Sequence, residues 1–222
     1  MYMIVVGAGS VGTSLIDIAV KEKNNVVVVD ANAERAKEIS TKYDITVLSG
    51  DATSADTLRE AGSERADAII VTTSDDAVNL MVVSIAAELD IDAIVSVVND
   101  EEHADFFRRL GTFVLENPED VVAHHLYNAV KRPNVEDFAM LPLGKGAQIF
   151  RMHVSKESPL TGRSIADAIK RELLPETVRI VAIDRDGEQR IAADDDAIAV
   201  DDVLTLFSLQ RVNDELIEKL SG

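Results

Sequence analysis

Short apolar runs alternate with helical patterns through the first half of the chain. Strands are predicted near residues 2–6, 26–30, 45–48, 68–73, 93–98 and 113–115, and helices near 11–22, 33–42, 54–61, 76–89 and 101–110. The runs carry Val, Ile and Leu at successive rather than alternate positions, as strands buried on both faces do. Repeated βα units of this kind build a parallel sheet covered by helices on both sides. Gly62 and Gly111 each follow a predicted helix, where a left-handed residue can end it. Asn117-Pro118 forms a turn and places Pro118 at the first position of a further helix, about 118–131. Val121, Val122, Leu126, Ala129 and Val130 give that helix an apolar side, and it is one more than the βα repeat requires.

The rhythm breaks at Lys131-Arg132-Pro133-Asn134 and again at Pro142 and Gly144-Lys145-Gly146. Beyond these breaks the pattern predicts a strand at 147–154, a helix at 164–171, strands at 178–184 and 188–192, a strand at 203–208 and a closing helix at 211–220. Asp186-Gly187 between two apolar runs is a hairpin signal. The expected organisation is therefore a Rossmann-type α/β domain over 1–133, a linker over 134–145, and a small α+β domain over 146–222.

The first apolar run feeds directly into Gly7-Ala8-Gly9-Ser10-Val11-Gly12, and the second ends on Asp30. Each part has a mechanical reason. Gly7 permits the tight strand-to-helix turn, Gly9 lets backbone approach a pyrophosphate, and Gly12 lets helix and strand pack closely. The helix start offers free N–H groups and a partial positive charge to phosphates. Asp30 stands where a carboxylate can accept the hydroxyls of an adenosine ribose. It would repel a 2′-phosphate; Ala31, Asn32 and Ala33 add no cation, Arg35 being the closest in sequence, so NAD(H) is expected over NADP(H).

Three further polar clusters end predicted strands: Gly50-Asp51-Ala52-Thr53, Thr72-Thr73-Ser74-Asp75 and Val98-Asn99-Asp100. Helix capping explains Asp51, Ser74 or Asp75 singly. Their shared position at one sheet edge, beside the glycine loop, favours ligand lining. His124 and His125 diverge by about 100° on a helix and cannot share a metal from one face. They read as a solvated or interface helix, and His103 and His153 receive no role. No Gly-x-Ser-x-Gly elbow occurs, and the glycine loop lacks the Lys-Ser/Thr of a phosphate-transfer loop. No catalytic or metal-binding residues are assigned.

Composition narrows the classes further. The 222 residues hold no cysteine, which excludes disulfides and thiolate chemistry. Forty acids against 22 bases give a net charge of −18 and a pI near 4.5. Such a surface repels nucleic acid and anionic lipid. It suits a salt-adapted protein, or an ordinary acidic cytosolic one. No apolar stretch approaches the roughly 20 residues of a membrane span, and no signal peptide is read at the start, so a cytoplasmic location, at most peripheral to a membrane, is expected.

The sequence resembles the RCK (regulator of K⁺ conductance) family, and within it the TrkA-type nucleotide-binding subunits of Trk potassium uptake systems. The residues that carry this are Gly7 to Gly12, Asp30, Gly50 to Thr53, Thr72 to Asn79, Asn99, His103 to Gly111 and Asn117-Pro118-Glu119. A looser likeness runs through Ser158 to Arg163, Ile180 to Gly187 and Asp201 to Leu204. The resemblance implies a non-enzymatic sensor whose bound nucleotide gates a membrane potassium-translocating subunit. It implies a homodimer in which helix 118–131 crosses onto the partner, with dimers assembling into a ring on the inner face of the membrane. Its site would comprise Gly7, Ala8, Gly9, Ser10, Val11, Gly12, Asp30, Ala31, Asp51, Ala52, Thr72, Thr73, Ser74, Asn99 and Glu119. Glu119 matches a position that reaches a neighbour's nucleotide. Ser10 stands where some relatives carry an Arg for the terminal phosphate of ATP, which favours NAD(H) or a shorter adenine nucleotide (ADP, AMP) over ATP. Ala193 and Asp201 stand where a Pro and a Gly are common. The same sensor on a cation/proton antiporter or amino-acid permease, and an NAD-dependent oxidoreductase, are the alternative readings.

Overall fold

The computed structural model describes residues 1–132, 134–140, 146–210 and 212–221. Pro133, Pro142, Gly144, Lys145 and Arg211, which mark the expected breaks and the start of the closing helix, lie outside them. Contacts divide the chain into two compact units, Met1–Asp120 and Val121–Gly222.

The first unit runs β1 (Tyr2–Val6), α1 (Ser10–Lys21), β2 (Asn25–Asp30), α2 (Ala33–Lys42), β3 (Thr46–Ser49), α3 (Ala55–Glu60), β4 (Ala68–Val71), α4 (Asp76–Glu88), β5 (Ala93–Val98), α5 (Ala104–Arg109) and β6 (Phe113–Glu116). It ends in the first residues of α6 (Pro118–Lys131). The six strands are parallel in the order β3-β2-β1-β4-β5-β6. The strand order reverses between β1 and β4, where open sheets of this kind leave a crevice.

Successive strand residues enter opposite cores, as the continuous apolar runs require. Ile4, Val6, Val27, Val29, Ile69 and Val71 pack with Leu58 of α3, Val82, Val83 and Ala86 of α4, and Phe107 of α5. Val5, Val26 and Val28 pack the other way, with Ile16 and Ala19 of α1 and Ile39 of α2. The second layer stops short of β6, where Phe113 is 70% and Leu115 46% exposed. Gly62 and Gly111 have φ of +84° and +77°, as their positions after helices predict. The helix expected at 101–110 opens instead with a 3₁₀ turn, Glu101–His103, before α5.

The second unit contains β7 (Val135–Met140), β8 (Gln148–His153), α7 (Ile165–Lys170), β9 (Val178–Arg185), β10 (Glu188–Ile191), β11 (Val203–Ser208) and α8 (Asp214–Ser221). The strands form an antiparallel sheet in the order β10-β9-β11-β8-β7. β7 lies within the segment expected to be a linker. It is an edge strand paired to β8 alone, with a register shift between Val135 and Asp137. Its apolar residues are too few to announce a strand, so the neighbour creates it. Asp186 and Gly187 have φ of +55° and +83°, completing the two-residue hairpin between β9 and β10.

Asp202, 1% exposed, pins the loop before β11. Burial pushes its carboxyl upward, but paired bonds from the Arg185 guanidinium (2.7 and 2.8 Å) and the Ala199 N–H (2.7 Å) outweigh this and hold it below the usual range. The neighbouring Asp201 sits at φ +68°, a left-handed position that favours Gly. A non-Gly residue in that region costs about 1–2 kcal/mol, while Gly loses roughly 0.5–1 kcal/mol of extra chain entropy. Asp201→Gly should therefore stabilise the protein by about 0.5–1 kcal/mol in urea unfolding, whereas the same change at Asp202 should destabilise it.

Candidate functional site

A cleft of about 400 Å³ follows the carboxyl ends of the parallel strands. Its lining can be read off the strand order. Gly50, Asp51 and Ala52 follow β3; Asp30, Ala31, Asn32 and Arg35 follow β2; Gly7, Gly9, Ser10 and Val11 follow β1. Thr72, Thr73, Ser74 and Asp75 follow β4, Asn99 follows β5, and Pro118 and Glu119 follow β6. Val6, Val29, Val78 and Val97 supply an apolar floor.

Every residue expected at the site lines this cleft except Ala8 and Gly12, which shape the loop from behind. Ala8 is buried, and its N–H donates to Asp30 Oδ2 at 2.6 Å. The Asn32 N–H donates to Oδ1 of the same carboxylate at 2.7 Å. Asp30 is itself only 5% exposed, so it is first a clamp between the glycine loop and the start of α2. Each of its oxygens keeps acceptor capacity for a further hydroxyl. The Gly7 N–H donates to Val29 O at 2.9 Å, and the Thr72 hydroxyl donates to Gly7 O at 3.0 Å, tying the loop to both neighbouring strands.

Gly7 has φ +93°, a conformation side chains rarely adopt. A Cβ on Gly12 would lie 2.0 Å from Gly7 O and 2.8 Å from Thr72 Oγ1, whereas one on Gly9 would meet nothing within 4 Å. Gly9 caps α1 without a side-chain hydrogen bond, and the first-turn N–H groups have no intrahelical acceptors. Gly7 and Gly12 are thus required by the fold, whereas a side chain at Gly9 would project into open space in front of the helix start.

Of Asp51, Ser74 and Asp75, capping and lining coincide at Asp75 alone, because the N-cap of α3 is Ser54 rather than Asp51 and that of α4 is Asp75 rather than Ser74. Asp51 accepts from the N–H and hydroxyl of Thr53 (2.9 and 2.7 Å), which hold its carboxyl below the usual range. Asp75 caps α4 through the N–H groups of Ala77 and Val78, at 2.8 and 3.2 Å. Behind the β4 and β5 loops, fully buried Asn79 donates to Thr73 O and Val97 O and accepts from the Thr73 hydroxyl. Asp76 accepts from the Asn99 N–H and Nδ2 (both 2.8 Å) and the Asp100 N–H (2.9 Å), and pairs with His103 Nδ1 at 2.9 Å. Burial pushes Asp76 up, yet these donors keep it below the ordinary carboxylate value. Asp76 in turn raises the His103 pKa, with Asp100 and Glu102 adding to it.

Asn32 and Arg35 also line the cleft, although neither is among the site residues expected from sequence, where Arg35 stands only as the closest cation. Asn32 follows the acid at the usual distance for a helix cap, and its Oδ1 accepts from the Glu34 and Arg35 N–H groups at 3.0 and 3.1 Å. Arg35 is the one cation lining the cleft among the described residues. It corrects the expectation that no cation stands near Asp30. His124 and His125 lie on α6, and no group of three or more metal-ligating side chains occurs among the described residues.

Fold and cleft together define a Rossmann-type domain with a cleft at its switch point, carried in one chain with a small antiparallel-sheet unit. Residues 3–118 match the TrkA-N domain model, and the chain belongs to that family. It is 27% identical over 167 residues to a Trk system potassium uptake protein TrkA homolog from Methanothermobacter thermautotrophicus, covering 75% of this chain and 76% of the relative. It is 28% identical over 219 residues to the Trk system potassium uptake protein TrkA of Halomonas elongata, covering 95% of this chain and 47% of that protein. Among solved structures, the GsuK channel bound to NAD has the same fold: TM-score 0.64 at 21% identity, over 100% of this chain and 39% of the channel chain. The chain thus spans under half the length of the last two.

Two outcomes follow from the geometry. Gly12→Ala should disrupt the loop and lower thermal stability, while Gly9→Ala should leave the unfolding transition close to that of the parent. The His103–Asp76 pair should stabilise the fold fully below pH about 6.5 while Asp76 stays ionised, losing its contribution as pH rises through the raised His103 value and again in acid as the lowered Asp76 carboxyl protonates. An NMR titration of His103 should move back toward the ordinary value in Asp76→Asn; an unmoved titration would remove the pair's role.

Proposed function

We propose that this protein is a nucleotide-sensing regulatory subunit, without catalysis of its own, that gates a membrane potassium transporter. The observation that carries the reading is the glycine loop at the start of α1, with Asp30 beside it, opening onto the strand-order reversal. Membership of the TrkA-N family and the potassium-uptake names of the relatives support the same reading. NAD(H) or an adenine nucleotide would lie along the cleft, its phosphates at the N–H groups of Gly9, Ser10 and Val11. Its adenosine would lie toward Asp30, Ala31, Asp51 and Ala52, and its remainder toward Thr72, Thr73, Ser74, Asn99 and Glu119. Residues 1–133 would form the nucleotide domain and 146–222 the accessory domain.

A homodimer fits the exposed apolar residues. Val122, Leu126 and Val130 recur every four residues on α6 and are 58%, 64% and 85% exposed. Phe113 and Leu115 on β6 are likewise open. No helix among the described residues is long and apolar enough to cross a membrane. In this reading transport itself belongs to a translocating subunit on whose inner face dimers assemble into a ring. Nucleotide would act by binding one subunit arrangement more tightly than another.

Calorimetric titration with NAD⁺, NADH, ATP, ADP and AMP is the direct test. At least one should bind, and Gly9→Ala should abolish binding without unfolding the protein. Leu126→Asp would bury an unpaired charge at a cost of several kcal/mol and should shift sedimentation to monomer. Failure of all five nucleotides to bind would refute the reading.

A further inference from the structure

The end of α6 is tied to the second unit by charge. No residue of this 14-residue helix is buried, so packing within the chain does not fix its direction. At its end Lys131 pairs with Asp214, and the Arg132 Nε donates to the same carboxylate at 3.0 Å. The Arg132 Nη2 pairs with it as well. Lys131 and Arg132 hold the Asp214 carboxyl below its usual range, and Asp214 raises Lys131. Carboxylate and ammonium therefore both stay charged around neutral pH.

Asp214 is firmly placed. It opens α8, whose Ile217 and Leu220 enter the core of the second unit. At the far end of α8 the hydroxyls of Ser155 and Ser158 donate to Ser221 O and Leu220 O, at 2.6 and 2.7 Å. Just before α8 the Val212 N–H donates to Oε1 of buried Gln148 at 2.8 Å. The anchored side of the contact is thus α8, and the movable side is α6. A cavity of about 300 Å³ opens beside the ion pairs, with Asn134, Ile217 and Ser221 among its walls, and gives the end of α6 room to move. Lys131 and Asp214 are each 43% exposed and open to counter-ions, whereas Arg132 is 13% exposed.

We infer that Asp214, Lys131 and Arg132 form a clasp that sets the tilt of α6 against α8 and loosens as ionic strength rises. Such pairs add little to stability, but direction needs little. Where packing leaves several tilts nearly equal, a small charge term selects among them. The clasp gives the chain a response to salt that does not pass through the cleft. It stands on the second unit's own geometry. Only its use in gating rests on the nucleotide-sensing reading, in which the ion being taken up would itself screen the clasp.

The chain has no cysteine, so two substitutions place a spin-label pair: His124→Cys on α6 and Glu215→Cys on α8. His124 is two positions from both Val122 and Leu126, hence on the opposite side of the helix. Labelled chains are diluted with unlabelled ones, so that pulsed electron resonance reads distances within one chain. At about 0.1 M KCl one narrow distance should dominate. At about 1 M KCl the screening length drops from about 10 to 3 Å, and the population outside that peak should rise about two- to fivefold. Choline chloride should act equally, because screening does not distinguish the cations. Asp214→Asn should show the widened distribution already at low salt and respond little to more. Lys131→Gln, which leaves α8 untouched, should move the same way by less. A parent distribution unchanged by salt would overturn the inference, as would both variants matching the parent at low salt, or a response to KCl that choline chloride does not reproduce. A salt response in a chain that binds none of the five nucleotides keeps the clasp and removes the sensing reading. Nucleotide binding without a salt response removes the clasp alone.

Discussion

A single buried carboxylate organises the candidate site. Asp30 closes β2 and accepts the N–H groups of Ala8 and Asn32, so one side chain sets both the glycine loop and the entry to α2. Buried N–H groups left without a partner would cost about 1–3 kcal/mol each, which makes this clamp a condition of the local fold. It also orients the helix start, because Ala8 immediately precedes the N-cap of α1. The acid that the motif assigns to a ribose therefore has a structural duty of its own.

The other side of the crevice is held differently. Asn79 and Asp76 project from α4 and gather the loops after β4 and β5 through side-chain hydrogen bonds. A parallel sheet leaves its strand ends unpaired, and each loop there needs its own anchors. Here polar side chains near the start of a single helix supply them for two loops. A displacement of α4 would therefore move Thr73 and Asn99 together, which is the rigid linkage a ligand-responsive cleft requires.

The strong negative charge is distributed with some order. Several acids of the second unit sit in ion pairs: Asp184 with Arg151, Asp202 with Arg185, Asp196 with Arg190, and Asp214 with Lys131 and Arg132. Exposed pairs of this kind contribute little each, whereas buried Asp202 fixes a loop. In the first unit the cleft is lined by four acids, Asp30, Asp51, Asp75 and Glu119, against Arg35 alone. Besides Arg35, the positive potential available in the cleft is that of backbone N–H groups and the start of α1, which carry no formal charge.

Local rules determined much of this protein from sequence. The both-face apolar runs specify a parallel sheet, because each residue of such a strand needs a core to enter. Gly7-x-Gly9-x-x-Gly12 with Asp30, and the Asp186-Gly187 hairpin, are short-range stereochemistry readable from a few neighbours. Tertiary structure alone decided the rest. β7 exists because β8 offers it hydrogen bonds, not because of its own pattern. Arg35 becomes a cleft residue only when α2 folds back beside β2, and Asp76 becomes an anchor only when β5 lies alongside β4. Asp30 and Asp75 turn out to serve fold and cleft at once. These are relations between residues distant along the chain, and no periodicity records which distant groups a given side chain will meet.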